Sequence, residues 1–450
     1  MTTPNEISKD TAFPQGKAVL FGLPRFSTSV LLGIESFAIF TLYVLGYGLD
    51  AGLTLFSIAA GYLSVAASQF LMGWLSDHVQ TSLGHRKPFI LIFAPLLAIS
   101  FVFLILPRLV LPDLNDKASL FAWMLIWDVI FRASYGFTTP YQSWMAELFV
   151  TKDRPRVSQI QNVFNYIGNG LMALLSMLIF TQAATEIAAD VNNIPAVLLW
   201  VTVIFAIILV AFYYLTAFFL PIEPKREIRN DTIQSLKIAV KNKNYLLITL
   251  MQGISGFGWS IMTTLMLTYT KLVLDLTTME YLVVSVCLLL GIFIFLQVWR
   301  VFIERKGKKT MLLRVFLAGA IFMPVTFLGM IPMSSYLVIG IIFILGIGAI
   351  LGGWYLFPYI IYADVAEDDD KGTGELRAGT YIGFSSIILN IFQAVAALLL
   401  SLVLALPPLA PMTYSFGYIL WGPIVSIILL ISWIFTKKFV TLDFAWESKR

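Results

Sequence analysis

Apolar runs of about 20 positions recur along this chain, parted by short stretches where charged and turn-forming residues gather. A helix rises about 1.5 Å per residue, so roughly 20 apolar residues cross the hydrocarbon core of a bilayer. Backbone in lipid must satisfy its own hydrogen bonds, which leaves helices or closed barrels, and these runs are too long and continuous for barrel strands. The pattern predicts helices over 26–49, 53–75, 88–110, 119–146, 157–181, 194–220, 244–270, 279–303, 310–332, 335–362, 379–405 and 412–436. The expectation is an all-α membrane protein of about twelve crossings, numbered here in that order.

The polar connections organise these helices. The longest, 221–243, carries Lys225, Arg226, Arg229, Lys237, Lys241 and Lys243, and parts an N-terminal half (1–220) from a C-terminal half (244–450), six helices each. Alternate connections are basic: Arg86 and Lys87, then Lys152, Arg154 and Arg156, the central cluster, Arg305 with Lys306, Lys308 and Lys309, and Lys371 with Arg377. The opposite connections hold only Arg108, Lys117 and Lys271. Positive residues mark cytoplasmic loops, so the expectation is a multi-pass cell-membrane protein with both termini in the cytoplasm.

Composition agrees with this picture. Of 450 residues, 59% are hydrophobic and 12% charged, and mean hydropathy is +0.85. A soluble chain carries about twice that charge. The basic loops account for the pI of about 8.9, so no nucleic-acid partner is called for. The expected partners are a small-molecule solute and the bilayer, with the chain a monomer. Met1–Lys17 is polar and contains Glu6 and Asp10, unlike a cleaved signal peptide. The single cysteine, Cys287, excludes a disulfide framework, and His78 and His85 share one loop without metal-ligand spacing. With no phosphate-binding Gly-x-x-x-x-Gly-Lys loop and no nucleophile–base set, the reading is a carrier rather than an enzyme or a nucleotide-driven pump, with no cofactor.

Charges inside a span cost roughly 2.5–3.5 kcal/mol on insertion scales, so they face a cavity or a partner. Glu35 in helix 1 and Asp128 with Arg132 in helix 4 are such charges. Asp128 and Arg132 are one turn apart on one face, which continues through Tyr135, Thr139 and Gln142. The pair reads either as a structural lock on a neighbouring helix or as part of a solute pathway. Glu35 has no cation near it in sequence, so the proton-coupling role falls to Glu35 and the solute-orienting role to Asp128 and Arg132. Helix 5 aligns Ser158, Asn162, Asn165 and Asn169; helix 7 aligns Gln252, Ser255, Trp259 and Thr263; helix 11 aligns Ser386, Asn390 and Gln393. Amides and hydroxyls around an aromatic ring suit a polyhydroxylated ligand, and equally suit hydrogen bonding between helices.

The two halves echo each other. Helix 4 ends in Pro140-Tyr141, four residues, then Ala146-Glu147-Leu148, and helix 10 in Pro358-Tyr359, three residues, then Ala363-Asp364-Val365. The loop after helix 2 reads Asp77 … Gly84-His85-Arg86-Lys87, and the loop after helix 8 reads Glu304-Arg305-Lys306-Gly307-Lys308-Lys309. Parallel six-helix repeats are the mark of the major facilitator fold. The stretches Gly73–Asp77 with Gly84–Phe89, Pro140–Leu148, and Tyr362–Val365 with Gly374–Gly379 resemble the signatures of the glycoside-pentoside-hexuronide:cation symporters, which include melibiose permeases, sucrose–proton symporters and a lysophospholipid-carrying branch.

The resemblance implies a secondary active transporter moving a sugar or glycoside with a cation by alternating access; the alternative cargo is a lysophospholipid or another amphipathic solute. In sodium-coupled relatives two helix 2 carboxylates hold the cation, and the resemblance puts Val65 and Gln69 there. A helix 4 carboxylate falls on Thr138 and a helix 11 lysine on Asn390. Without that carboxylate pair the coupling ion is expected to be a proton rather than sodium, with uncoupled transport as the alternative. The expected solute contacts are Asp128, Arg132, Tyr135, Gln142, Asn162, Asn165, Trp259, Asn390 and Gln393, with Glu35 and Gln69 at the coupling site. Asp77, Arg86, Glu147, Arg156, Asp364 and Arg377, at cytoplasmic helix ends, are the expected gate, with topology-setting charge as the plainer reading. The acidic run Glu367–Asp370 reads as a solvated loop, with a calcium contact as the alternative.

Overall fold

A computed structural model of the chain describes residues 13–149, 153–222, 241–373 and 378–442. Of the expected gate, Arg377 and the side chain of Asp77 lie outside the described residues, as do Lys152 and the central basic residues Lys225, Arg226, Arg229 and Lys237. Among the described residues, 12 helices are long and apolar enough to cross a membrane. They are α1 (Gln15–Gly46), α2 (Ala51–Ser76), α3 (Lys87–Ile105), α4 (Lys117–Met145), α5 (Arg156–Ala189), α6 (Ala196–Phe219), α7 (Lys243–Val273), α8 (Met279–Lys306), α9 (Lys308–Met330), α10 (Leu337–Phe357), α11 (Phe384–Leu404) and α12 (Gly417–Phe439).

Helix pairing repeats with a shift of six. In the first half α1 packs on α5 and α6, α2 on α4, and α3 on α4 and α6. In the second half α7 packs on α11 and α12, α8 on α10, and α9 on α10 and α12. Among the described residues, the main pairs joining the halves are α1 with α7, α2 with α11, and α5 with α8. The shift by six helices carries the second of these onto the third, so the interface obeys the same internal symmetry. This is the major facilitator fold, two six-helix halves facing one another.

Glycines set close crossings in both halves. Lipid offers no hydrophobic drive between helices, so small residues that let backbones approach supply the packing. A Cβ on Gly61 of α2 would collide with Asp128 and stand 2.8 Å from Arg132 Cδ on α4. At the matching α8–α10 crossing, a Cβ on Gly348 would stand 3.3 Å from the backbone of Gly291.

Three helices differ from their expected form. The first begins at Gln15 rather than near 26, because Lys17, Pro24 and Arg25 break the apolar pattern without breaking the helix. The fourth is interrupted by a 3-10 turn at Tyr135–Phe137. Such a turn advances about 120° per residue instead of about 100°, rotating the remainder of the helix by roughly 60°. The helix containing α10 runs on to Thr373, so the acidic run Glu367–Asp370 is helical and not a loop.

Candidate functional site

A cavity of about 250 Å³ lies between the halves. From the first half it is walled by Arg25, Thr28, Ser29 and Ser36 of α1, Tyr62 of α2, Tyr135 of α4, and Asn165 and Asn169 of α5. The second half adds Trp259 and Thr263 of α7, Trp354 and Tyr355 of α10, and Gln393 of α11. The rings of Trp259 and Trp354 stack with centroids 5.0 Å apart. The Trp259 indole nitrogen is buried without a hydrogen-bond acceptor, and Ser29 Oγ donates to Asn165 Oδ1 at 2.6 Å.

Hydrogen bonds between the halves bracket this space. Past the cavity along α1 and α7, the hydroxyls of Thr41 and Thr268 meet at 2.9 Å; past it along α5, Thr181 meets Tyr281 of α8 at 3.0 Å. Toward the opposite end, Ser386 of α11 donates to Gln69 Oε1 of α2. Beside the cavity Ser260 donates to Tyr62 Oη at 3.4 Å. The cavity therefore lies between hydrogen bonds that join the halves on either side of it.

Behind Tyr62 lies a buried charge cluster. Arg132 Nη2 stands 2.6 Å from both carboxylate oxygens of Glu35, and its Nε donates to Glu35 Oε1 at 3.1 Å. The guanidinium also lies 3.8 Å from the Tyr62 ring centroid. Asp128 Oδ1 is 3.8 Å from Arg132 Nε, beyond hydrogen-bond reach. Both Asp128 oxygens are buried and accept no hydrogen bond.

These placements correct two expectations. Glu35 does have a cation beside it: Arg132 turns from its own-helix neighbour Asp128 to a residue on α1. Asp128, Arg132 and Glu35 also stay outside the cavity wall, one layer behind it, whereas Tyr135 lies in the wall. Of the other expected solute contacts, Asn165, Trp259 and Gln393 line the cavity, while Gln142, Asn162 and Asn390 do not. Gln142 falls past the 3-10 turn, which rotates it off the stripe it shares in sequence with Asp128. Asn390 spends its amide on the Ser386 carbonyl of its own helix, 2.7 Å away.

Sequence reasoning missed Arg25, Tyr62, Trp354 and Tyr355 as cavity residues. Arg25 fell just before the expected start of the first helix, and the aromatic residues carry no signal that separates a cavity wall from a lipid face.

Four of the expected gate residues make contacts inside their own halves. Arg86 Nη2 stands 2.8 Å from Glu147 Oε1 and its Nη1 donates to Ser76 Oγ at 2.6 Å, tying the start of α3 to the ends of α4 and α2. His85 Nε2 joins the same carboxylate at 3.2 Å. Asp364 takes Lys308 Nζ at 2.5 Å, the matching bond of the second half. Arg156 lies over the Phe13 ring, 4.4 Å from its centroid. Val65 is buried, and Thr138 Oγ1 donates to the Tyr135 carbonyl at 2.9 Å.

The family described as MFS/sugar transport protein matches residues 20–414. The chain belongs to it. Its fold is similar to that of a D-xylose-proton symporter, with a TM-score of 0.71 and 14% identity over 96% of this chain and 99% of that one. It is similar to the partially occluded inward-open xylose transporter XylE from E. coli, with a TM-score of 0.63 and 14% identity over 95% and 98% of the two chains. The nucleoside transporter NupG gives a TM-score of 0.58 and 15% identity over 94% and 99%. A comparison with curated protein sequences gives no match.

Proposed function

We propose that this chain is a secondary transporter carrying a sugar or glycoside by alternating access, as a relative of the glycoside-pentoside-hexuronide:cation symporters. The observation that carries the reading is the cavity between the halves, where stacked Trp259 and Trp354 face Asn165, Asn169, Gln393 and the α1 hydroxyls. Flat aromatic faces suit the C–H faces of a sugar ring, and amides and hydroxyls both donate and accept toward its hydroxyls. A volume of about 250 Å³ is a space for a small solute.

Residues 1–220 and 244–450 are the two bodies that rock about this site, with the basic loops and both termini in the cytoplasm and the chain acting as a monomer. The coupling ion is a proton rather than sodium, since Val65 and the neutral Gln69 stand where sodium-coupled relatives carry carboxylates. The test is a ligand-induced thermal-shift screen of the purified protein, because a ligand that binds only the folded state raises its apparent stability. Saccharides raising the melting temperature support the reading. A shift with lysophospholipids and none with saccharides overturns it.

A further inference from the structure

The Glu35–Asp128–Arg132 cluster holds two carboxyl groups and one guanidinium, shut away from solvent. Glu35 and Asp128 are 0% exposed and Arg132 is 5% exposed. With both carboxyls ionised the cluster carries an uncompensated negative charge, and an unpaired buried charge costs several kcal/mol. One proton removes it. The hydrogen bonds say which carboxyl takes that proton. Glu35 accepts Arg132 Nη2 on both oxygens at 2.6 Å and Ser36 Oγ at 3.2 Å, the charge-assisted contacts that favour a carboxylate. Asp128 accepts nothing. On α2 the Tyr62 ring is occupied by the guanidinium. On α1 Tyr43 donates its hydroxyl to the Leu104 carbonyl at 2.8 Å. Helix α3 brings no titratable side chain beyond Lys87 at its start.

We propose that Asp128 carries a proton, making the cluster a neutral set of one carboxylate, one carboxylic acid and one guanidinium. Arg132 is then the switch. A shift of its guanidinium from Glu35 toward Asp128, whose Oδ1 already stands 3.8 Å from Arg132 Nε, exchanges which carboxyl is compensated and passes the Asp128 proton to Glu35. Tyr62 joins this switch to the solute, since its ring touches the cavity on one side and the guanidinium on the other. The coupling consequence rests on the transport reading; the protonation itself does not.

The test is infrared spectroscopy of the purified, solute-free protein near neutral pH. A buried protonated carboxyl gives a carbonyl band distinct from carboxylate, and it moves when the attached carbon is isotopically heavy. The expected result is a protonated-carboxyl band that shifts in protein grown with heavy aspartate and stays in place with heavy glutamate. Asp128→Asn is expected to abolish the band. No band, a band that moves with heavy glutamate, or a band that survives Asp128→Asn overturns the proposal. The labelling arm uses the unaltered sequence, so misfolding of the variant leaves the test intact.

Discussion

Arg132 on α4 grips Glu35 on α1, 97 positions away in sequence, with one nitrogen 2.6 Å from each carboxylate oxygen. Both side chains are buried, so the pair joins two helices of one half through an ion pair that water does not screen. Removing one partner of such a pair leaves an uncompensated buried charge, at a cost of about 3–5 kcal/mol. Arg132→Ala is therefore expected to lower the thermal unfolding temperature sharply. Adding Glu35→Gln to it recovers much of the loss. A double-mutant cycle on thermal unfolding measures this, and equal melting temperatures for the single and double variants contradict it.

Trp259 lies in the cavity wall with its ring stacked on Trp354, and its indole N–H is buried without an acceptor. Aromatic contact contributes about 0.5–1.5 kcal/mol and a hydrogen bond about the same. Trp259→Ala is thus expected to weaken binding by roughly tenfold to a hundredfold. The measurement is calorimetry with whichever saccharide stabilises the unaltered protein most, with Trp259→Phe expected to fall between.

The hydroxyl pairs Thr41–Thr268 and Thr181–Tyr281 join the halves on one side of the cavity. Hydrogen bonds between membrane helices average about 0.6 kcal/mol, so losing one shifts an open–closed balance about threefold. Thr181→Val with Thr41→Val should raise the labelling rate of a cysteine placed at Ser36 by roughly an order of magnitude, after Cys287 is replaced. An unchanged rate means that these hydroxyls do not hold the end closed.

Sodium should not strengthen solute binding. Gln69 already accepts from Ser386 across the interface, and a buried Val65 offers no oxygen. Calorimetric titrations in sodium and in choline salts are expected to superimpose, and a sodium-dependent tightening reveals a cation site elsewhere.

Asp116 caps α4 just before the membrane. Its Oδ2 takes the Ser119 hydroxyl at 2.5 Å, and its Oδ1 takes the backbone N–H groups of Ala118 and Ser119. The Ser119 hydroxyl first, then the N–H groups, hold its carboxyl below the usual 3.8. A carboxyl depressed on folding adds stability above its unfolded pKa, and that stability fades as the pH falls through the folded value. Asp116→Asn keeps a cap and loses this acid dependence. The two melting curves are expected to converge below about pH 4 and part above it.

Twelve crossings in the major facilitator fold were legible in the sequence, because they follow from local physics. A bilayer demands a fixed length of apolar helix whatever its neighbours, and charge stays at helix ends for the same reason. The stacked Trp259 and the amides of Asn165 and Gln393 were legible as well, since helical spacing places them on polar faces. The partner of Arg132 was not. Sequence spacing shows only neighbours on one helix and pointed to Asp128, whereas packing brought Glu35 from α1 into better reach. Gly61 let α2 close over the pair, and the 3-10 turn at Tyr135 rotated Gln142 off the stripe. Which polar groups face each other across helices depends on rotation and close approach, and these are fixed only when all the helices pack together.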